Sequence, residues 1–214
     1  MHDAGWWIDH AAHMLHHGES AFSCSREIEA MAVWEDHALL LSSDTDCLSL
    51  WDAHGLVQLA RVGVYPQDMA LHDDHVYVCG GLDCCLHQLS LPSLQLCASL
   101  SMPGMPERIA MHRGKAYTLL LVPEPEPHTQ LISVDPGFWT HRCLLQLPGI
   151  PGAIAADDAG LWIGVSQQVL HLPESGPGPD MVIDGIGLAS YIEITSDGIL
   201  VTDSLTEHVL RIRT

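Results

Sequence analysis

The densest group of side chains able to do chemistry is His10, His13, His16 and His17, spaced H-x-x-H-x-x-H-H. On a helix this spacing would place His10, His13 and His17 on one face, within reach of a single transition metal. On strands, positions 13 and 17 share a side and 16 points the other way, and the surrounding pattern makes the stretch a strand hairpin. A second group is Cys84-Cys85, with Asp83 before it and His87 after it. Adjacent cysteines on a strand face opposite sides, and no C-x-x-C pair accompanies them, so they read as buried thiols. Neither a G-x-S-x-G elbow, a phosphate-cradling G-x-x-x-x-G-K loop nor an H-E-x-x-H pair occurs, and no nucleophile stands out.

The elements that would position these groups follow from an internal repeat. Asp3-Ala4-Gly5-Trp6-Trp7-Ile8 recurs as Asp158-Ala159-Gly160-Leu161-Trp162-Ile163, and more loosely at Ser196-Asp197-Gly198-Ile199. Met31 to Leu40 aligns without gaps on Met69 to Val78, and Ile109 to Thr118 is a further copy. The equivalent turn positions are Gly5, His37, His75, Lys115, Gly160 and Gly198, separated by 32, 38, 40, 45 and 38 residues. A period near 40 built from short, alternating, β-branched and aromatic segments is that of a propeller blade of four antiparallel strands, here called a to d.

Pro66, Pro106 and Pro151 mark the start of strand a, where no ladder donor is needed. Pro123-Glu124-Pro125-Glu126-Pro127 cannot continue a strand and reads as an excursion between b and c, and Pro173 to Pro179 as a c to d connection. The expected architecture is all-β, a single domain over 1–214. It is a propeller of about six blades whose first lacks strand a and whose last ends after strand c. Five blades, or a piece of a longer propeller, are the alternatives.

In such a fold Glu29, Asp68, Arg108 and Tyr191 stand at or beside the start of strand a, towards one mouth of the axial channel, where convergent loops supply a concavity. Glu193 replaces the alanine of the matching places 32, 70, 110 and 155. It is either a cation ligand or filling for the space a missing neighbour strand leaves. His72 and His112 share one repeat slot just after strand a, either as members of one ring or as ordinary turn residues.

Gly198-Ile199-Leu200-Val201-Thr202-Asp203-Ser204 followed by Glu207 to Ile212, and Leu161-Trp162-Ile163-Gly164 followed by Val169 to Leu172, resemble the NHL and YVTN class of propeller repeats. The related gluconolactonase/SMP-30 group has a similar repeat pattern and holds a catalytic divalent metal through Glu, Asn and Asp. That resemblance implies a metal-dependent hydrolase, with Glu29, Glu193 and Asp203 as candidate ligands. This chain contains no Asn, so two of that group's usual ligands have no counterpart in it.

Eight Lys and Arg face 27 Asp and Glu in 214 residues, a formal charge of −19. Such a surface repels polyphosphates and anionic membranes, which sets nucleic acid and membrane aside as partners. Met1 to Gly5 offers no leader pattern, and seven scattered cysteines read as reduced thiols, so a cytoplasmic location is expected. The leading functional expectation is a non-catalytic scaffold that contacts a protein or small ligand at the channel mouth, without a firm cofactor beyond a possible divalent metal. Pairing of two copies through the incomplete terminal blades is a further expectation.

Overall fold

The computed structural model describes residues 5–174 and 178–213. Asp3 and Ala4 of the first repeat copy, and residues 175–177 of the Pro173 to Pro179 connection, lie outside the described residues. Among the described residues there are 22 strands and no helix, so none is long and apolar enough to cross a membrane. The strands form six antiparallel sheets, each from consecutive strands, and the chain divides into two compact units, Met1–Ser101 and Met102–Thr214.

The first unit holds three sheets. Trp6–Asp9 (β1), Met14–His17 (β2) and Ser20–Ser23 (β3) form the first, with three strands. Ile28–Trp34 (β4), His37–Ser42 (β5), Cys47–Asp52 (β6) and Gly55–Arg61 (β7) form the second. Asp68–His72 (β8), His75–Cys79 (β9), Cys85–Ser90 (β10) and Gln95–Ser101 (β11) form the third.

The second unit repeats the plan. Met105–His112 (β12), Lys115–Val122 (β13), His128–Asp135 (β14) and Thr140–Pro148 (β15) precede Pro151–Ala156 (β16), Gly160–Val165 (β17), Gln168–Pro173 (β18) and Met181–Asp184 (β19). Ala189–Thr195 (β20), Gly198–Asp203 (β21) and His208–Ile212 (β22) close the series with three strands. His37, His75, Lys115, Gly160 and Gly198, the repeat positions, are each the first residue of a strand b. Among the described residues the first sheet and the last sheet have three strands each, and the other four sheets have four.

The second strand of each full sheet is largely buried on both faces, which is why it reads as a mainly apolar run. In β5, Ala38 and Leu40 pack with Trp6 and Leu15 of the first sheet, while Leu39 and Leu41 pack with Met69, Val76 and Val78 of the third. In β17, Leu161, Ile163 and Val165 meet Leu119 and Leu131 of the preceding sheet, and Trp162 meets Ile192, Ile199 and Val201 of the following one. Each fully buried leucine removed from water contributes about 1.5–3 kcal/mol, so the cores between neighbouring sheets hold each unit together. The a to b turns are tight, with Glu35, Asp73 and Arg113 in the same slot at φ of 54°, 50° and 47°.

Three local expectations change. His13 lies in the β1 to β2 turn at φ 55°, not on a strand. Cys84 likewise sits in a turn, at φ 53°, and only Cys85 belongs to β10. Of the seven cysteines, none in a disulfide, only Cys79 is buried, while Cys97 and Cys143 are exposed, because both lie on outermost strands.

Candidate functional site

At the end of each sheet where strand a begins, two connections meet: the loop entering a and the loop between b and c. The same backbone tie fastens them in sheet after sheet. Ser43 N–H donates to Glu27 O (3.1 Å), Ser166 N–H to Ile150 O (2.9 Å) and Ser204 N–H to Leu188 O (3.0 Å), while Leu82 N–H donates to Val64 O (3.0 Å) in the third sheet. Short loops tied this way are held rigid before any ligand arrives.

Strand a is irregular just inside this end. The ladder shifts between Ile28 and Ala30, between Pro106 and Arg108, between Pro151 and Ile154, and between Ala189 and Tyr191. A bulge turns the extra residue out of the ladder, and one such residue is Glu29. Its exposed carboxylate accepts a hydrogen bond from Ser43 Oγ at 2.5 Å. Asp68, half-buried at the first position of β8, accepts from Met69 N–H at 2.8 Å.

In the second unit the bulged residue of β12 is Glu107. Burial pushes its carboxyl pKa up, against the opposing pull of the Arg108 guanidinium. Arg108 is occupied as a strut: Nε donates to Gly152 O at 2.8 Å and a terminal nitrogen to Glu107 O at 2.7 Å. Tyr191 and Glu193 are both exposed on β20.

Asp203, which the SMP-30 resemblance offers as a metal carboxylate, is buried and already engaged. Gly187 N–H (2.8 Å), Leu188 N–H (3.0 Å) and Leu205 N–H (3.0 Å) all donate to it. The Leu188 and Gly187 donors, in that order, hold its pKa well below the ordinary carboxylate value. Asp203 pairs with Ala189 and Glu193 with Leu200, so the two lie about three residues, or ~10 Å, apart along the hairpin.

The histidine cluster is divided in the same manner. His17 stacks on Trp6 with ring centroids 4.3 Å apart, and His16 on Trp7 at 3.9 Å, on opposite faces of the hairpin. His10 and His13 occupy the turn between them. Among the described residues, the one group of three acidic, histidine or thiol side chains close enough to share an ion is Glu35, Asp36 and His37. It sits in an a to b turn, at the opposite end of its sheet from the loops described here. His72 and His112 end β8 and β12 and pair with His75 and Lys115 across their a to b turns, as turn residues do.

The tied loops of the second unit enclose a concavity of about 620 Å³, lined by Ile150, Val165, Ser166, Asp184, Leu188 and Leu205 among others. Ile150 and Leu205 are 45% and 70% exposed at its rim. Two side chains set its walls. Ser166 Oγ accepts from Ile150 N–H at 3.0 Å, and Asp203 fixes the backbone that carries Leu188 and Leu205. The lining is mainly apolar with a few fixed polar groups, the make-up of a site that binds an apolar body and orients it by one or two polar contacts. Ile150 and Leu205 escape a sequence reading because each is a lone apolar residue, Ile150 among Gly and Pro and Leu205 among Asp, Ser, Thr and Glu. Their one signal is a large side chain within a turn.

No family model matches the chain, and no curated protein matches it in sequence. Solved structures do. A chain from the crystal structure of a nidogen/laminin complex is similar with a TM-score of 0.75 and 15% identity, over 91% of this chain and 79% of that one. Hydrazine synthase of Kuenenia stuttgartiensis is similar with a TM-score of 0.63 and 12% identity, over 94% and 89%. The fold is therefore a β-propeller fold. With 607 matching chains it is a widely used one, so the fold does not select an activity.

Proposed function

We propose that the chain is a propeller scaffold, one functional domain over 1–214, that recognises a protein partner through its loop end. The observation that carries this reading is the concavity with Leu205 and Ile150 exposed at its rim and its walls pinned by Asp203 and Ser166. Large apolar side chains on rigid loops offer a partner contact area at small entropic cost. A neighbour of this fold was crystallised as a nidogen/laminin complex, which is in keeping with partner binding. Seven cysteines, none in a disulfide, support a reducing, cytoplasmic setting.

The test uses a neutral apolar probe, N-phenyl-1-naphthylamine, because a charge of −19 repels anionic dyes. Fluorescence enhancement by the parent protein that is lost in Leu205→Asp and Ile150→Asp supports the groove, and equal enhancement in all three overturns it. Lactone or ester turnover abolished by chelation and by Glu193→Ala would establish instead the metal-dependent hydrolase that the SMP-30 resemblance implies.

Self-association is favoured by one observation of its own. Among the described residues β22 pairs only with β21, and it exposes Val209 and Leu210 on that open edge. In this second reading two copies associate through β22. Sedimentation equilibrium of the parent as a dimer, and of Val209→Lys as a monomer, supports it, whereas a monomeric parent overturns it.

A further inference from the structure

We propose that Ser99 is an activated nucleophile, able to take an acyl group from an activated ester and pass it to water. In the third sheet the β10 to β11 ladder sets Ser99 opposite His87. Ser99 Oγ lies 2.5 Å from His87 Nδ1, and His87 Nε2 lies 2.9 Å from Asp83 Oδ2. Asp83 is fixed in turn, because Cys85 N–H donates to its Oδ1 at 3.0 Å. These three side chains lie in the first unit and belong to none of the walls of the groove in the second, so the inference stands apart from the binding reading.

The direction of the hydrogen bonds follows from charge. An ionised Asp83 only accepts, so His87 carries its proton on Nε2 and leaves the Nδ1 lone pair facing the serine hydroxyl. Ser99 then donates to a base. The ring of His87 is buried, which strengthens both bonds, whereas Ser99 is exposed on an edge strand and open to a donor from solvent. Two glycines make room for the pair. A Cβ at Gly80 would come within 2.2 Å of Asp83 Oδ1 and 2.8 Å of His87 Nε2, and one at Gly63 within 2.9 Å of Asp83 Oδ2.

In the proposed step Ser99 Oγ attacks the ester carbonyl carbon while its proton passes to His87 Nδ1, and Asp83 stabilises the imidazolium through Nε2–H. The ester C–O bond breaks, and the alcohol leaves with the proton from His87. Water then attacks the acyl-serine, giving its proton to His87, and the acid is released as Oγ recovers a proton. The same groups act with a fluorophosphonate, where an O–P bond forms, the P–F bond breaks, and fluoride and a proton are released.

The test is labelling of the folded full chain with a fluorophosphonate, read site by site by mass spectrometry. Thiols are abundant in this chain, and the reagent is chosen because it selects serine. Ser93 serves as the internal reference: it is also exposed, but its Oγ is bonded to another hydroxyl, Ser90 Oγ, at 2.7 Å. General-base assistance predicts Ser99 labelled faster than Ser93 by a factor of about 10² or more. His87→Gln, which keeps hydrogen-bonding capacity, removes that advantage. Asp83→Asn does so as well, because the amide can turn an N–H to Nε2 and move the histidine proton to the nitrogen facing Ser99. Equal labelling of Ser99 and Ser93 in the parent protein overturns the proposal, as does parental labelling in His87→Gln. The parent's ratio decides the matter even if a variant fails to fold.

Discussion

Leu39 and Leu40 are neighbours in sequence and both wholly buried, yet they belong to different cores. Leu40 packs with Trp6 and Leu15 of the first sheet, and Leu39 with Val76 and Val78 of the third. Replacing either by alanine removes a buried leucine and is expected to cost about 2–5 kcal/mol, a large part of the ~5–15 kcal/mol that holds a domain folded. The informative quantity is the coupling. Face-to-face packing of successive sheets requires Leu40→Ala to couple with Leu15→Ala, and Leu39→Ala with Val78→Ala, each by about 0.5–3 kcal/mol. The crossed pairs, Leu40 with Val78 and Leu39 with Leu15, should add to within about 0.5 kcal/mol. Urea unfolding of the singles and doubles measures all four cycles. Coupling in the crossed pairs and none in the direct ones would refute the reasoning that β5 is shared between two cores.

Other outcomes follow from the loop end and the strand order. Because the pKa of Asp203 is held down by backbone donors, its contribution to stability is complete above the ordinary carboxylate value and is lost as pH falls below about 4. Asp203→Asn should therefore melt below the parent at pH 7, with the gap narrowing steadily as pH falls from about 4 to about 2, and a gap that does not change with pH would contradict the clamp. Arg108→Met removes two hydrogen bonds to backbone carbonyls and should destabilise by roughly 1–3 kcal/mol in chemical unfolding; an unaltered midpoint would deny the strut. Backbone amides of β5 and β17 should exchange with deuterium far more slowly than those of β7 and β15, whose residues are largely exposed. Equal protection would contradict the burial order.

The strand order was legible because the physics that forms it is local. His37, His75, Lys115, Gly160 and Gly198 stand at tight turns followed by runs such as Ala38 to Leu41, and a strand covered on both faces is apolar at most positions. The site was legible only in part. Asp203 stands out as a carboxylate, but its partners are the N–H groups of Gly187, Leu188 and Leu205, and a backbone donor has no signature in the residue types around it. Asp83 and His87 are close in the chain and could be noticed together. Ser99 joins them only through the β10 to β11 register, which shifts between Gln88 and Leu89 and so cannot be counted off the sequence. For the amino-terminal histidines the determining fact is the hairpin, which gives His16 and His17 separate tryptophans on opposite faces.

The most direct test of the account is an experimental density map of the full chain. It should trace six antiparallel sheets in chain order, with three strands in the first and last and four in each of the others, and with Asp203 closed onto the Gly187 to Leu188 backbone. A map that pairs strands distant in sequence, or merges these sheets into two layers, would contradict it.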